Sequence, residues 1–458
     1  MHKKILTIVL LSLTSVQTIM ADTTVLSLDS CRTLAVDNNK ELKIADTDRE
    51  KAHYNRKSAF TNYLPKVNLT GVYMHTGREL SLLSDEQKTT LSHIGDAMSM
   101  PALNAAGQGI VDALHTDTRN AGAAAVMLTQ PVYMGGKIRA YNKIAGYAEE
   151  ISTDKYNLKY QELVTAVDET YWTIVALASR KRLAKQYLTL VKTLDSDVGK
   201  MKDEGFATTA DGLSVKVKVN EANVAIIQVD NGLELLKMRL CQLCGLPPKS
   251  EITLSDEEEY TPGYEECELP DDTGNWEKRP ELSATSTAVR VLEEKVKIAR
   301  AEFLPTIALT GGYAASNPSV FNSFERKFKG TWSIGVAVNV PLVTWGDRRY
   351  KVNAAKAEMT SAKLEYEELQ EKIELQVSQC RLRVREAMEK RSASLSSQRE
   401  ADENLRYATV GMKEGVIPVS NVIEAQTAWL AAKTNLIDSD IELRLAHVYL
   451  KKALGTIK

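Results

Sequence analysis

The sequence predicts a mixed α and β chain built from one unit used twice, each copy joining a pair of short strands to very long helices. Residues recur at fixed offsets. At 240, Tyr63-Leu64-Pro65 and Leu69-Thr70-Gly71 match Phe303-Leu304-Pro305 and Leu309-Thr310-Gly311. At 210, Pro131, Gly136, Arg139, Glu204, Gly205, Leu240 and Gly245 match Pro341, Gly346, Arg349, Glu414, Gly415, Leu450 and Gly455. Such self-similarity marks a duplicated architecture. Two proline-free stretches, 132–246 and 342–417, carry apolar residues at helical spacing. After each Leu-Pro the period changes from 3.6 to 2.

Residues 1–21 read as a secretory leader: Lys3 and Lys4, an apolar run from Ile5 to Leu13, and a small residue, Ala21, before Asp22. No Cys follows directly, so the usual bacterial lipid anchor is not expected. Removing the leader takes two lysines and no acids, moving the net charge from −2 to −4. With 58 basic against 60 acidic residues, the chain lacks the basic excess that reading nucleic-acid phosphates demands. Past residue 21 no apolar stretch reaches the roughly 18 residues of a spanning helix, so a membrane crossing would have to use strands.

Residues 22–64 are expected to hold the first helix. In 65–131 the alternation of Val67, Leu69, Gly71 and Tyr73 opens a strand pair, and in 305–341 Ile307, Leu309, Gly311 and Tyr313 keep the same phase. The return strand there alternates through Trp332, Ile334, Val336, Val338 and Val340. Strands of about ten residues cross a bilayer with tilt, although a half-buried soluble sheet alternates too. Pro65 to Pro131 spans 66 positions and Pro305 to Pro341 only 36, so the first pair carries the longer loop, within 74–121.

The helical hairpins are expected over 132–245 and 342–455, with a second-half helix at 281–304 and a tail at 456–458. Their first helices, 137–203 and 347–413, would each run on the order of 100 Å at 1.5 Å per residue. Val164, Val167, Tyr171, Ile174 and Ala178, and likewise Leu369, Ile373, Val377, Cys380, Val384 and Ala387, are spaced for coiled-coil-like packing. Alanines 354, 355, 357 and 362 suggest close helix approach. Gly205 and Gly415 suit the left-handed residue that ends a helix. Between the halves, 246–280 holds five of the twelve prolines and eleven acids against three bases, and is expected to be an irregular acidic linker on the outside.

Cys241 and Cys244 have the spacing of redox and zinc sites but lie inside an apolar helical pattern, which favours core positions. His75, His93 and His115 lie in or beside the long first loop without ligand periodicity, and no metal site is assigned. Carboxylates are spread along helix faces with no nucleophile–base set or phosphate loop, so no catalytic residue and no cofactor is assigned.

The chain resembles the TolC-like outer-membrane efflux protein family over nearly its whole mature length. The resemblance is carried by the Leu-Pro strand starts, by Pro131-Val-Tyr-Met-Gly-Gly-Lys-Ile-Arg139 with Pro341-Leu-Val-Thr-Trp-Gly-Asp-Arg-Arg349, and by Gly415-Val-Ile-Pro-Val-Ser-Asn-Val-Ile-Glu-Ala-Gln426. It implies a homotrimer in which four strands per chain form a 12-stranded outer-membrane barrel, continued by an α-helical barrel into the periplasm with a small irregular equatorial region. Four strands alone leave two open edges that lipid does not tolerate, so the residues also demand other copies. The implied partners are a periplasmic adaptor and an inner-membrane transporter, met by the tips 205–214 and 415–424.

The resemblance places docking at Gly205, Gly415, Val416, Ile417 and Pro418. It makes Asp211, Ser214, Asn421 and Glu424 candidates for the pore entrance, where carboxylate rings favour cations. Helix capping is the competing role for Asp211 and for Ser420 or Asn421. Pro131, Gly136, Arg139, Pro341, Gly346 and Arg349 are expected at strand-to-helix junctions near the membrane boundary. Export of small toxic compounds or drugs leads; type I protein secretion and metal-ion efflux are the alternatives within this class. A soluble periplasmic coiled-coil adaptor or adhesin is the alternative outside it.

Overall fold

Prolines and left-handed glycines set the ends of the long elements. The computed structural model describes residues 24–77, 83–113, 119–260, 276–319 and 326–457. The leader, His115, Cys267, residues 261–275 of the acidic segment, and residues 78–82, 114–118 and 320–325 lie outside the described residues.

In chain order the first half is β1 (Thr24–Leu26), α1 (Leu28–Asn38), α2 (Lys40–Phe60), β2 (Lys66–His75), α3 (Asp85–Ser92), α4 (Ile94–Ala97), α5 (Ala102–Ala113), β3 (Asn120–Met134), α6 (Lys137–Asp203) and α7 (Thr209–Leu243). The segment between the halves supplies β4 (Ile252–Leu254) and α8 (Asp256–Glu259). The second half is α9 (Pro280–Ala301), β5 (Thr306–Asn317), β6 (Lys329–Asn339), α10 (Asp347–Lys413) and α11 (Val419–Ala453). Two compact units result: one holds the sheet (Lys51–Glu150, Thr287–Lys363), the other the helical hairpins (up to Glu50, Ile151–Ser286, Leu364 onward).

The sheet is antiparallel throughout, in the order β2-β3-β5-β6. Directly opposed residues share a face, so its register defines two surfaces. One carries the rows Leu69–Val126–Tyr313–Trp332 and Val67–Leu128–Gly311–Ile334; the other carries Asn68–Met127–Gly312–Ser333 and Thr70–Ala125–Ala314–Thr331. The first is apolar and the second mostly small or polar. Every residue of β2 is exposed, and Leu69 and Trp332 are 76% and 74% exposed. Register slips between Pro131 and Tyr133, at a residue that has no N–H to give the ladder. Between β2 and β3 the long connection forms helices α3–α5, with Ser84 and Gln87 closing a capping box on α3, where the sequence suggested only a loop.

In the helical unit the expected apolar spacing is the buried spacing. Val167, Tyr171 and Ile174 of α6 are fully enclosed, and Ile373, Val377, Cys380 and Val384 of α10 pack with Leu443 and Leu450 of α11. Of the alanines expected to let helices approach, which fall in the sheet-bearing unit, Ala362 is buried, whereas Ala354 and Ala357 are exposed.

Part of the acidic segment differs from expectation. β4 pairs in parallel with β1, and Ile252, Leu254 and Tyr260 are buried. Two of its acids act as internal acceptors: Glu257 takes Lys237 at 2.8 Å and Tyr171 donates to Asp256 at 2.5 Å; Arg182 donates to the backbone carbonyl of Tyr260 at 2.7 Å. The Tyr260 hydroxyl donates to Asp440, which Arg391 also holds. A charge count sees eleven acids but not the partners that make burial affordable. Among the described residues no helix is long and apolar enough to cross a membrane.

Candidate functional site

Both long hairpins reverse through the same backbone device. At the first tip Gly205 N–H donates to Lys202 O at 3.1 Å and Phe206 N–H to Met201 O at 2.7 Å; at the second Gly415 donates to Met412 O at 3.0 Å and Val416 to Gly411 O at 2.9 Å. This pair of bonds closes the last helical carbonyls and requires a left-handed residue between them. Gly205 and Gly415 supply it, with φ of +84° and +72°. A Cβ at either would meet nothing within 4 Å, so backbone conformation alone imposes glycine there.

The restarts differ. Thr208 caps α7 through a reciprocal box: its Oγ1 accepts from Asp211 N–H at 3.1 Å, and Asp211 Oδ2 accepts from Thr208 N–H at 2.9 Å and from the Thr208 hydroxyl at 2.6 Å. These bonds hold the Asp211 carboxyl below its ordinary value. α11 instead begins after Pro418, which offers no side-chain cap. Ser420 and Asn421 lie in its first turn, but neither caps it. Ser214 bonds back to Ala210 O at 3.0 Å. Glu424 is exposed one turn further along α11.

Between the two turns lies a groove of about 830 Å³, lined by Met201, Phe206, Met412, Val416, Ile417 and Pro418 among others, with Asp197, Glu204, Asp211 and Glu414 against Lys200 and Lys413 at its rim. Met412 and Val419 are buried beneath it, while Phe206 and Val416 stand 77% and 79% exposed. Phe206 is the residue that sequence reasoning missed. It is the offset-210 counterpart of Val416, so the repeat itself was the signal. Each turn therefore presents one bare apolar side chain directly after its glycine.

At the strand-to-helix junctions Gly136 and Gly346 take φ of +84° and +89°. Arg139 and Arg349 are exposed. The buried arginine is the neighbouring Arg348: it donates to Thr344 Oγ1 at 2.8 Å and to the Glu302 and Pro341 carbonyls at 3.3 Å, and lies over the Phe303 ring. Its first-half counterpart is Ile138, so the repeat could not reveal it. Trp345 occupies a left-handed position, φ +50°, where the first half has Gly135.

Among the described residues no group of three or more His, Cys, Asp or Glu is placed to hold a metal.

Comparison with known proteins adds to this geometry. A family model described as outer membrane efflux protein matches residues 32–245 and 276–456. Outer membrane efflux protein BepC of Brucella suis biovar 1 is 23% identical over 357 residues, covering 74% of this chain and 73% of the relative. The crystal structure of the outer membrane protein VceC of Vibrio cholerae superposes with a TM-score of 0.74 at 16% identity, over 93% of this chain and 96% of that one. The Campylobacter jejuni CmeC outer membrane channel gives 0.73 at 17% identity, over 94% and 85%.

Proposed function

The chain belongs to the outer membrane efflux protein family and is an export channel of the outer membrane; from that premise we propose that three copies form its conduit, a 12-stranded barrel continued by an α-helical barrel in the periplasm. The observation that carries this reading is the sheet. It has one apolar and one small or polar face, its outer strands β2 and β6 are exposed along nearly their whole length, and each has one side with no strand partner among the described residues. In lipid such edges must be closed. β2 and β6 run in opposite directions, so β6 of one copy meets β2 of the next antiparallel, as an even number of strands per chain requires. The apolar rows then face lipid and the polar rows line water.

The tips are the docking surface for a periplasmic adaptor that couples the channel to an inner-membrane transporter. Phe206 and Val416 insert into the adaptor, and the groove between the turns receives it. At the entrance Glu424 and Asp211 both supply ring charge, Asp211 staying ionised while its carboxylate accepts the hydrogen bonds that cap α7. Small toxic compounds or drugs pass by diffusion; no chemical step is involved.

Reconstitution in planar bilayers tests this. A steady, weakly cation-selective conductance is expected, with Glu424→Gln reducing the cation preference. A protein that stays in aqueous solution without detergent and opens no conductance would overturn it.

A further inference from the structure

One corner of the helical unit contains chemistry that a channel does not need. Cys31 of α1 and Cys244, at the C-terminal end of α7, are both fully enclosed and belong to the same buried apolar cluster. Cys244 Sγ also lies 3.5 Å from the Cys31 carbonyl oxygen. Around them the two elements are fitted closely. The Asn39 carboxamide donates to Leu243 O at 3.0 Å, and a Cβ on Gly245, itself at φ +70°, would fall 2.5 Å from Asn38 Cβ. Arg32 grips the buried Asp168 through two hydrogen bonds of 2.7 and 2.6 Å, fixing the face of α1 that carries Cys31. The second half needs no thiol at this corner, since the position equivalent to Cys244 is Leu454, buried and apolar.

We propose that Cys31 and Cys244 close into a disulfide in the exported protein, clamping α1 onto the end of α7. The proposal rests on passage through an oxidising compartment, which a leader and an outer-membrane destination entail, and not on barrel closure. The oxidant is a protein dithiol–disulfide oxidase of that compartment. The Cys31 thiolate attacks one sulfur of the oxidase disulfide, forming a mixed disulfide and releasing one oxidase thiolate. The Cys244 thiolate then attacks Cys31 Sγ and displaces the other. One S–S bond is made and one broken, two electrons leave the cysteines, and the two thiol protons end on the reduced oxidase dithiol.

Cys31 is the better first nucleophile. The neighbouring Cys244 side chain lowers its thiol, whereas the same proximity together with burial raises Cys244, and burial raises Cys241. Because both sulfurs are enclosed, the exchange precedes the docking of α1 or uses its local opening. Cys241 is not the partner: its Sγ is turned to the Ser250 carbonyl at 3.8 Å.

The test uses the full chain extracted from outer membranes, denatured and alkylated with iodoacetamide before any reduction. Three of the five cysteines are expected to label, all five after reduction, and a non-reduced digest should contain a Cys31–Cys244 linked peptide. Labelling of all five without reductant, or a link between any other pair, would overturn the proposal. The folded protein gives an independent readout. Reductant should lower the thermal midpoint of the wild type and of Cys241→Ala, but not of Cys31→Ala, Cys244→Ala or the double variant, which should all share one midpoint. A wild-type midpoint indifferent to reductant would count equally against the clamp.

Discussion

The two hairpin tips solve one backbone problem identically and one capping problem differently. Both place glycine at positive φ and close the helix with the same two hydrogen bonds, yet only the first restarts with a side-chain cap. The duplication has kept the backbone geometry, where physics leaves few options, and let the capping chemistry drift where several options serve. The exposed apolar side chain after each glycine has changed identity, from Phe206 to Val416, while remaining bare, which sets it apart from the drifting cap.

The largest expected effect lies in what the tips share. Gly205→Val and Gly415→Val each force a β-branched residue into the left-handed region, costing about 1–3 kcal/mol. Because no atom crowds either position, the two losses should be equal and export should fall with both. Denaturant unfolding and a drug-accumulation assay measure this; unequal losses would break the parallel between the tips.

Next comes what they do not share. Thr208→Ala should cost about 1 kcal/mol by removing the cap of α7. Ser420→Ala and Asn421→Ala should change unfolding little, since neither side chain caps α11. A marked loss from Asn421→Ala would mean that the second tip has a cap after all.

Asp211 gives a smaller, pH-dependent difference. Its folded carboxyl titrates below its unfolded value through the Thr208 hydrogen bonds. Its contribution is therefore complete above the unfolded carboxyl range and disappears as pH falls through the folded value. Amide protection at 208–211, taken relative to the intrinsic exchange rate at each pH, should fall on acidification more in the wild type than in Asp211→Asn, with no matching change at 418–421. Smallest in stability is Phe206→Ser with Val416→Ser: midpoints should hold within about 0.5 kcal/mol, while adaptor binding, read by co-purification, should weaken.

Much of this architecture was legible because it is periodic or repeated. The strand phase at Val67–Tyr73 and Trp332–Val340, the enclosed stripe on α6 and the glycines of both turns all recur in the chain. What could not be read was aperiodic. Helices α3 and α4, of eight and four residues, are too short to show a period, and β4 has three residues. Glu257 and Asp256 count as solvent charge until Lys237 and Tyr171 are known to meet them. Arg348 has no repeat partner, and the repeat points instead to the exposed Arg139 and Arg349. At the tip, capping and pore roles for Asp211 were indistinguishable from spacing, and only the reciprocal bonds with Thr208 establish its engagement in the cap.

The central claim is that β6 of one copy pairs with β2 of another. A photo-cross-linking residue introduced at Thr70 on β2, activated in intact outer membranes, measures it most directly. Adducts to β6 residues of a second chain, with covalent species ending at three chains, are the expected result. Adducts confined to the same chain, or none at all, would contradict it.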